Sequence, residues 1–338
     1  MAQQILNERS NGLSGKKRIT VFTPAYNRAH TIEKLYQALQ RQSFRDFEWV
    51  VVDDGSSDNT EALFSQWIRE NQSFHILYVK QANGGKHRAF NLGVLKASGE
   101  LFYTVDSDDY PADDSLSVID ATEKTIPPEK RAEFGGVCGL KSYFNQTPIG
   151  TTFKETEYLD IVSLDSPKYH ITGDRAGALY TELLKKYPFP EFEGENFLTE
   201  CVVWDRMAAD GYKLRFFNRT MTFCEYRKDG LTQKGNTIFI KNPRGYALYL
   251  VQSFRFGRFT RKQFLESCFD YYSELHDTLS FRTISEYLSL SRFILLRIII
   301  RFYVLRTMYN CYMSLPPWVH NFYHKLRSKT GISVRPVK

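Results

Sequence analysis

Cysteine is scarce in this chain, with five residues in 338. Cys138, Cys201, Cys224, Cys268 and Cys311 are odd in number, lie far apart and never stand as CxxC. That excludes zinc-finger spacing and reads as reduced, mostly buried thiols in a cytosolic protein. No run of basic residues is present, so no nucleic-acid partner is expected. No GxGxxG follows a strand, which sets aside a dinucleotide oxidoreductase. The N-terminal stretch MAQQILNERSNGLSGKK has no apolar core, so no signal peptide is expected there, and residues 1–16 read as a disordered lead-in. Internal repeats and low-complexity tracts are absent.

Long uninterrupted apolar runs are missing too. The most apolar stretch, SRFILLRIIIRFYVLR, is broken by Arg292, Arg297, Arg301 and Arg306. A spanning helix needs about 20 largely apolar residues, and a central arginine costs roughly 2.5 kcal/mol or more. A membrane span is therefore not expected. Arg297 and Arg301 share a helical face while Arg292 and Arg306 lie elsewhere, so the stretch is not cleanly amphipathic either. Two readings stay open: a packed helix in a C-terminal subdomain, or peripheral attachment to a membrane, with the arginines meeting lipid phosphates.

What is present begins with a mild positive balance, +7 formal charge and a pI near 9.0. It suits an anionic ligand such as a nucleotide or phosphate, or an anionic membrane surface. The length fits a core domain with an extension.

From Lys17 the hydrophobic pattern alternates. Arg18 to Thr23 is a β-branched apolar run that predicts a strand. TIEKLYQALQRQ follows with Ile32, Leu35, Tyr36 and Leu39 at helical spacing. Phe47 to Val52 predicts a second strand, continuously apolar as in a sheet covered on both faces. DDGSSDNT then turns at Gly55 into a helix striped by Leu63, Phe64, Trp67 and Ile68, with Ser57 or Asp58 available as caps. Phe74 to Val79 and Leu101 to Val105 predict two more strands, separated by NGGKHRAFNLGVLKAS, a glycine turn opening a helix. Such alternation argues for an α/β fold: a mostly parallel central sheet with helices on both faces. After about Asn242 the chain reads as helical, aromatic and basic. The expected division is a lead-in over 1–16, a core α/β domain over 17–240 and a helical C-terminal extension over 241–338.

In a parallel sheet ligands sit outside the carboxyl ends of the strands. PAYNR, DDGSS, NGGKHR and DSDD all fall at such ends. Asp106, Asp108 and Asp109 crowd into four positions, which costs repulsion unless a hard cation is to be met. Asp113 and Asp114 just beyond suit helix capping. Asp53 and Asp54 can accept hydrogen bonds from a base or ribose. Two glycines before Lys86, His87 and Arg88 let the backbone approach a ligand that these cations can meet. Tyr26 is placed to stack on a base.

TPAYNR, VVDDGSSDNT, NGGKHRAFNLGV and TVDSDDY, in that order and spacing, resemble the family-2 glycosyltransferases of the GT-A fold, bacterial surface-polysaccharide type. The resemblance runs from about Lys17 to Thr232. It implies an inverting transfer of a sugar from a nucleotide diphosphate donor, usually UDP-linked, to a hydroxyl of a glycan or lipid-linked acceptor. It implies Mn2+ or Mg2+ on the Asp-x-Asp motif, with Asp106 and Asp108 as metal ligands. It also implies a donor site holding Pro24, Tyr26, Asp53, Asp54, Lys86, Arg88, Asp106 and Ser107. Tyr226 or Arg227, in CEYRKDGLT, would meet the leaving diphosphate. The implied location is cytoplasmic, at the inner face of the cell membrane if the interfacial reading of the C-terminal run holds. The family's third motif often carries arginine just before its asparagine, where Phe90 stands here. Its acidic pair near the catalytic base is often Glu-Asp, where Thr199-Glu200 stands. Glu200, four residues before Trp204 and six before Arg206, takes the base position, with Glu195 the nearby alternative.

Two other classes compete. A sugar nucleotidyltransferase would want a longer glycine loop and a basic residue straight after the first strand, and PAYNR is neither. A non-catalytic nucleotide-sugar or glycan-binding relative would not need Asp106, Asp108 and Glu200 together.

Overall fold

The computed structural model describes residues 4–6, 15–71, 73–224 and 235–313. The chain divides into two compact units, residues 1–252 and 253–338.

One sheet runs through the first unit. Its strands are β1 (Gln4–Leu6), β2 (Ile19–Ala25), β3 (Phe47–Asp53), β4 (His75–Lys80), β5 (Leu101–Thr104), β6 (Tyr110–Pro111), β7 (Phe134–Tyr143), β8 (Tyr158–Ile161), β9 (Arg175–Tyr180) and β10 (Lys213–Cys224). Their spatial order is β1-β4-β3-β2-β5-β9-β7-β10-β6, with β8 also on β10. The half β4-β3-β2-β5 is parallel throughout. β9 enters antiparallel between β5 and β7, and β7 pairs parallel with β10. The strands β2, β3, β5 and β7 therefore all deliver their carboxyl ends to one edge. β9 brings its amino end there.

Residues alternate between faces in each strand, and in β2 and β3 both faces are buried along the whole strand. Trp49 and Val51 of β3 join Leu35 and Leu39 of α1 (Glu33–Arg41), Phe64 and Trp67 of α2 (Thr60–Glu70), and residues of the later α4 on one side. Val50 and Val52 join Phe22, Phe102 and the inner face of α3 (Lys86–Lys96) on the other. Each such side chain taken from water contributes about 1.5–3 kcal/mol. That is why these strands read as unbroken apolar runs. α3 lies unusually close to the sheet at Gly93, where an added Cβ would come within 2.2 Å of the Phe22 ring.

The remaining helices of this unit are α4 (Ser115–Lys124), α5 (Thr181–Leu184), α6 (Cys201–Ala209), α7 (Asn236–Ile240) and most of α8 (Pro243–Arg255). The lead-in expected without structure carries β1, whose Ile5 and Leu6 add to the open edge of β4. Asp58 lies one residue before the N-cap Asn59, which makes no side-chain capping bond, yet its carboxylate accepts from a helix-start N–H, that of Thr60, at 3.0 Å. Asp113 and Asp114 do not. Their carboxylates pair with Arg41 and Arg219 instead.

The second unit holds α9 (Arg261–Leu275), α10 (Phe281–Tyr287) and α11 (Arg292–Met313). Thr260 and Gln263 form a reciprocal capping box that fixes the start of α9. Leu295, Ile298, Ile299 and Phe302 of α11 are buried, and Phe302 stacks on Phe269 of α9 at 5.2 Å. Among the described residues no helix is long and apolar enough to cross a membrane.

Candidate active site

The site is assembled at the carboxyl edge of the parallel strands. β3 ends in Asp53, which is fully buried and accepts hydrogen bonds from the Ser56 N–H at 2.7 Å and from the Tyr78 hydroxyl. Asp54 follows, also buried. Its carboxylate accepts from the N–H groups of Gly84 at 2.8 Å and Gly85 at 2.7 Å, and from the Gln81 amide at 2.8 Å. In the structure both aspartates thus organise loops. Asp54 in particular fixes the turn 81–85 that opens α3, and so sets where Lys86 begins.

Lys86 is the centre of the charged cluster. Its Nζ lies 2.7 Å from Asp106 Oδ1 and 2.8 Å from Glu200 Oε1. Burial alone would lower the Lys86 pKa, but the two carboxylates push it well up. Asp106 feels the reverse balance: burial would raise its pKa, and Lys86 and Lys141 hold it down to about 2. Asp109 is 6% exposed and is pushed up to about 8, first by burial and then by the charges of Asp106 and Asp108 against the opposing Lys141. Burial and the crowding of three aspartates thus favour the protonated form of Asp109 relative to an ordinary carboxylate. Asp108 is half-buried and makes no hydrogen bond or ion pair among the described residues.

The other expected residues are placed as follows. Pro24 is buried in β2, beyond the last residue that pairs with β5. Tyr26 is 48% exposed just past the end of β2. Ser107 is buried, and its carbonyl accepts from the Thr31 hydroxyl. Arg88 turns away from Asp106. Its guanidinium donates to the carbonyls of Gly84, Glu195 and Phe192 and pairs with Glu191. Glu195 is buried and spent on the start of α8, accepting from the N–H groups of Arg244 at 2.7 Å and Gly245 at 2.9 Å. Glu200 instead stands at the entry to α6 with half of its side chain exposed. Phe90, where the family often has arginine, is buried among Phe22, Phe102, Phe189 and Trp204. Tyr226 and Arg227 lie outside the described residues.

Two residues of the cluster were not anticipated. Lys141, near the carboxyl end of β7, places Nζ 2.9 Å from Asp174, 3.6 Å from Asp109 and 4.0 Å from Asp106. Burial would lower its pKa, and these carboxylates raise it well above the ordinary value. Asp174 precedes β9 at the same edge. The available signal was a lysine closing the apolar run GGVCGL. His87 of α3 is buried with its pKa lowered to about 4, by burial first and Arg88 second, so it is neutral and carries no charge to a ligand.

Among the described residues no group of three His, Cys, Asp or Glu side chains is arranged to hold a metal ion by itself. A hard cation such as Mg2+ can take one or two carboxylates from protein and its remaining oxygens from phosphates and water. Asp106 and Asp108 fit that mode: one is compensated by lysine, and the other is uncommitted.

Residues 20–120 match the family model described as Glycosyl transferase family 2. Glycosyltransferase GlyA of Streptococcus pneumoniae is 26% identical over 235 residues, 64% of this chain and 32% of that protein. The teichuronic acid biosynthesis glycosyltransferase TuaG of Bacillus subtilis, a putative assignment in its own name, is 32% identical over 30% of this chain and 40% of its own. The GalNAc(5)-diNAcBac-PP-undecaprenol beta-1,3-glucosyltransferase of Campylobacter jejuni is 29% identical over 30% of this chain and 33% of its own. The chain spans about a third of the length of the first curated relatives it matches. Among solved structures, S. aureus TarS 1–349 with UDP-GlcNAc aligns with a TM-score of 0.53 at 18% identity, over 76% of this chain and 81% of that one. The mannosyltransferase PcManGT of Pyrobaculum calidifontis, in complex with GDP-Man and Mn2+, aligns with a TM-score of 0.53 at 19% identity, over 95% and 82%. These likenesses show the GT-A fold.

Proposed function

We propose that this chain, whose residues 20–120 match the model of glycosyl transferase family 2, is an inverting, metal-dependent hexosyltransferase. It would move a sugar from a nucleotide diphosphate donor, UDP-linked by preference, to a hydroxyl of a glycan or lipid-linked acceptor in surface polysaccharide synthesis. The observation that carries the reading is the meeting of Lys86, Asp106 and Glu200 beside the uncommitted Asp108, at the edge where a parallel sheet presents its ligands.

A divalent ion on Asp106 and Asp108 would supply positive charge against the donor's diphosphate. Lys86, on the first turn of α3, is placed to add its ammonium to the same phosphates. Exposed Tyr26 offers a face for the base, and Asp53 and Asp54 keep the surrounding loops in shape. Glu200 is the base. Inverting transfer requires the acceptor hydroxyl to lose its proton as it attacks the anomeric carbon, and a part-exposed carboxylate at the entry to α6 can take it. Glu195, the alternative, has both oxygens committed to α8. TarS is seen with UDP-GlcNAc and PcManGT with GDP-Man and Mn2+, which supports a nucleotide-sugar donor and leaves the base to be measured.

A thermal-shift panel of UDP, GDP and dTDP sugars with manganese tests this reading, because a ligand of the native state raises its melting point. A UDP sugar with manganese is expected to give the largest shift, and Asp108→Ala is expected to abolish it together with turnover. Asp108→Ala with wild-type metal affinity and turnover would end the metal assignment. Stabilisation by a UDP sugar without transfer or hydrolysis would favour a non-catalytic binding relative.

A further inference from the structure

The second unit carries a surface for which the transfer reaction has no use. The inner face of α11 is buried, but Phe293, Leu296, Ile300 and Val304 follow one another at helical spacing on its outer face. They are 67%, 47%, 54% and 52% exposed. A helix facing water would carry polar residues there. Arg297 and Arg301, one turn apart, border this stripe, and Arg297 lies over the Phe293 ring at 5.7 Å.

Around the helix from the stripe, Arg301 also lines a cleft of about 470 Å³ between α9 and α11. Arg261 and Lys262 stand across it, and Leu265 and Phe302 form apolar wall. Lys262 is shared with Glu266 at 3.5 Å, whereas Arg261 and Arg301 pair with no carboxylate among the described residues. No acidic residue follows Glu286 in the chain. Residues 253–338 hold fourteen lysines and arginines against five aspartates and glutamates, so the chain's entire positive excess resides in this unit.

We propose that the second unit docks on an anionic phospholipid bilayer, with the outer stripe of α11 in the interface and lipid phosphates at Arg261, Lys262 and Arg301. An apolar stripe bordered by arginines matches the boundary between acyl chains and phosphates. A second copy of the chain is a poorer occupant. Two such faces brought together would oppose Arg297 and Arg301 to their own kind, with no acid on α11 to answer them. The proposal concerns only this unit and holds whatever the first unit's donor is.

The test is sedimentation of the full-length protein with vesicles of phosphatidylcholine alone or with about a third phosphatidylglycerol, at low and high salt. Binding is expected to the anionic vesicles and to weaken with salt. Each cation at such a surface is worth about 1 kcal/mol, roughly fivefold, so Arg261→Gln with Arg301→Gln is expected to lose about 25-fold. Leu296→Ser with Ile300→Ser is expected to weaken binding to every vesicle. Both variants are expected to keep the wild-type melting shift with a UDP sugar, which reports a folded first unit and separates this proposal from the catalytic one. Absence of wild-type sedimentation with anionic vesicles, or equal sedimentation with neutral ones, overturns it. So does loss of a dimer in Leu296→Ser, Ile300→Ser without change in vesicle binding, which would make a second copy the occupant. Binding that arises only after residues 314–338 are removed would assign the stripe to the chain's own tail. Stabilisation by inorganic phosphate without vesicle binding would reassign the cleft to a soluble anion.

Discussion

Glu200 meets an ammonium in this structure before it meets any hydroxyl. Its Oε1 lies 2.8 Å from the Lys86 ammonium, which occupies the carboxylate. A diphosphate arriving at the same edge offers Lys86 another partner and leaves Glu200 free to accept a proton. Glu200→Gln keeps the size of the side chain but cannot take the proton. Turnover is expected to fall roughly 10²–10⁴-fold, with UDP and manganese affinity near wild type. Transfer within about threefold of wild type, far short of that range, would remove Glu200 from the role. Lys86→Met tests the other half. Without the ammonium 2.7 Å away, Asp106 loses its nearest cation and keeps the more distant Lys141 at 4.0 Å. Manganese titrated in the absence of donor is expected to bind more tightly than to wild type, while UDP-sugar binding weakens. Unchanged metal affinity would show that Lys86 does not compete for Asp106.

At the level of elements, the decisive one is the turn that opens α3. Gly85 sits at φ +95°, and a Cβ there would lie 1.8 Å from the Asn196 carbonyl oxygen. Its N–H is held by Asp54. Gly85→Ala is expected to cost at least about 1–3 kcal/mol for the left-handed backbone alone, and to displace Lys86 from Asp106 and Glu200. A lowered melting temperature together with a raised donor KM is the expected signature, and an unchanged KM would separate the turn from the site. This turn was legible from sequence, as were the four parallel strands, because unbroken apolar runs and glycine-marked turns are local signals. Lys141 and Asp174 were not. They reach the aspartates through β7 and β9, strands inserted beyond β5 by long-range pairing that no local pattern records. The surroundings of Arg88 were hidden for a related reason. Its position beside the glycines is visible, but two of the three carbonyls that consume its guanidinium lie more than 100 residues away.

For the whole molecule, the question is whether the two units depend on each other for donor binding. All the described residues placed at the donor edge belong to residues 1–252, and the sheet there is covered on both faces by helices of the same unit. Its hydrophobic core is therefore closed without the second unit. A fragment ending after Arg258 keeps α8 whole, and with it the N–H groups that hold Glu195. The fragment is expected to melt cooperatively and to bind a UDP sugar with manganese within about threefold of the full chain, a difference under 1 kcal/mol. It is also expected to lose sedimentation with anionic vesicles, since the arginines and the outer stripe of α11 leave with the second unit. If the acceptor is lipid-linked, transfer to it falls in the fragment while transfer to a soluble acceptor persists, because attachment raises the local concentration of the two partners. Equal loss on both acceptors, with donor binding intact, would instead place acceptor recognition in the second unit. A fragment that melts cooperatively but binds the donor far more weakly than the full chain would refute the independence argued here.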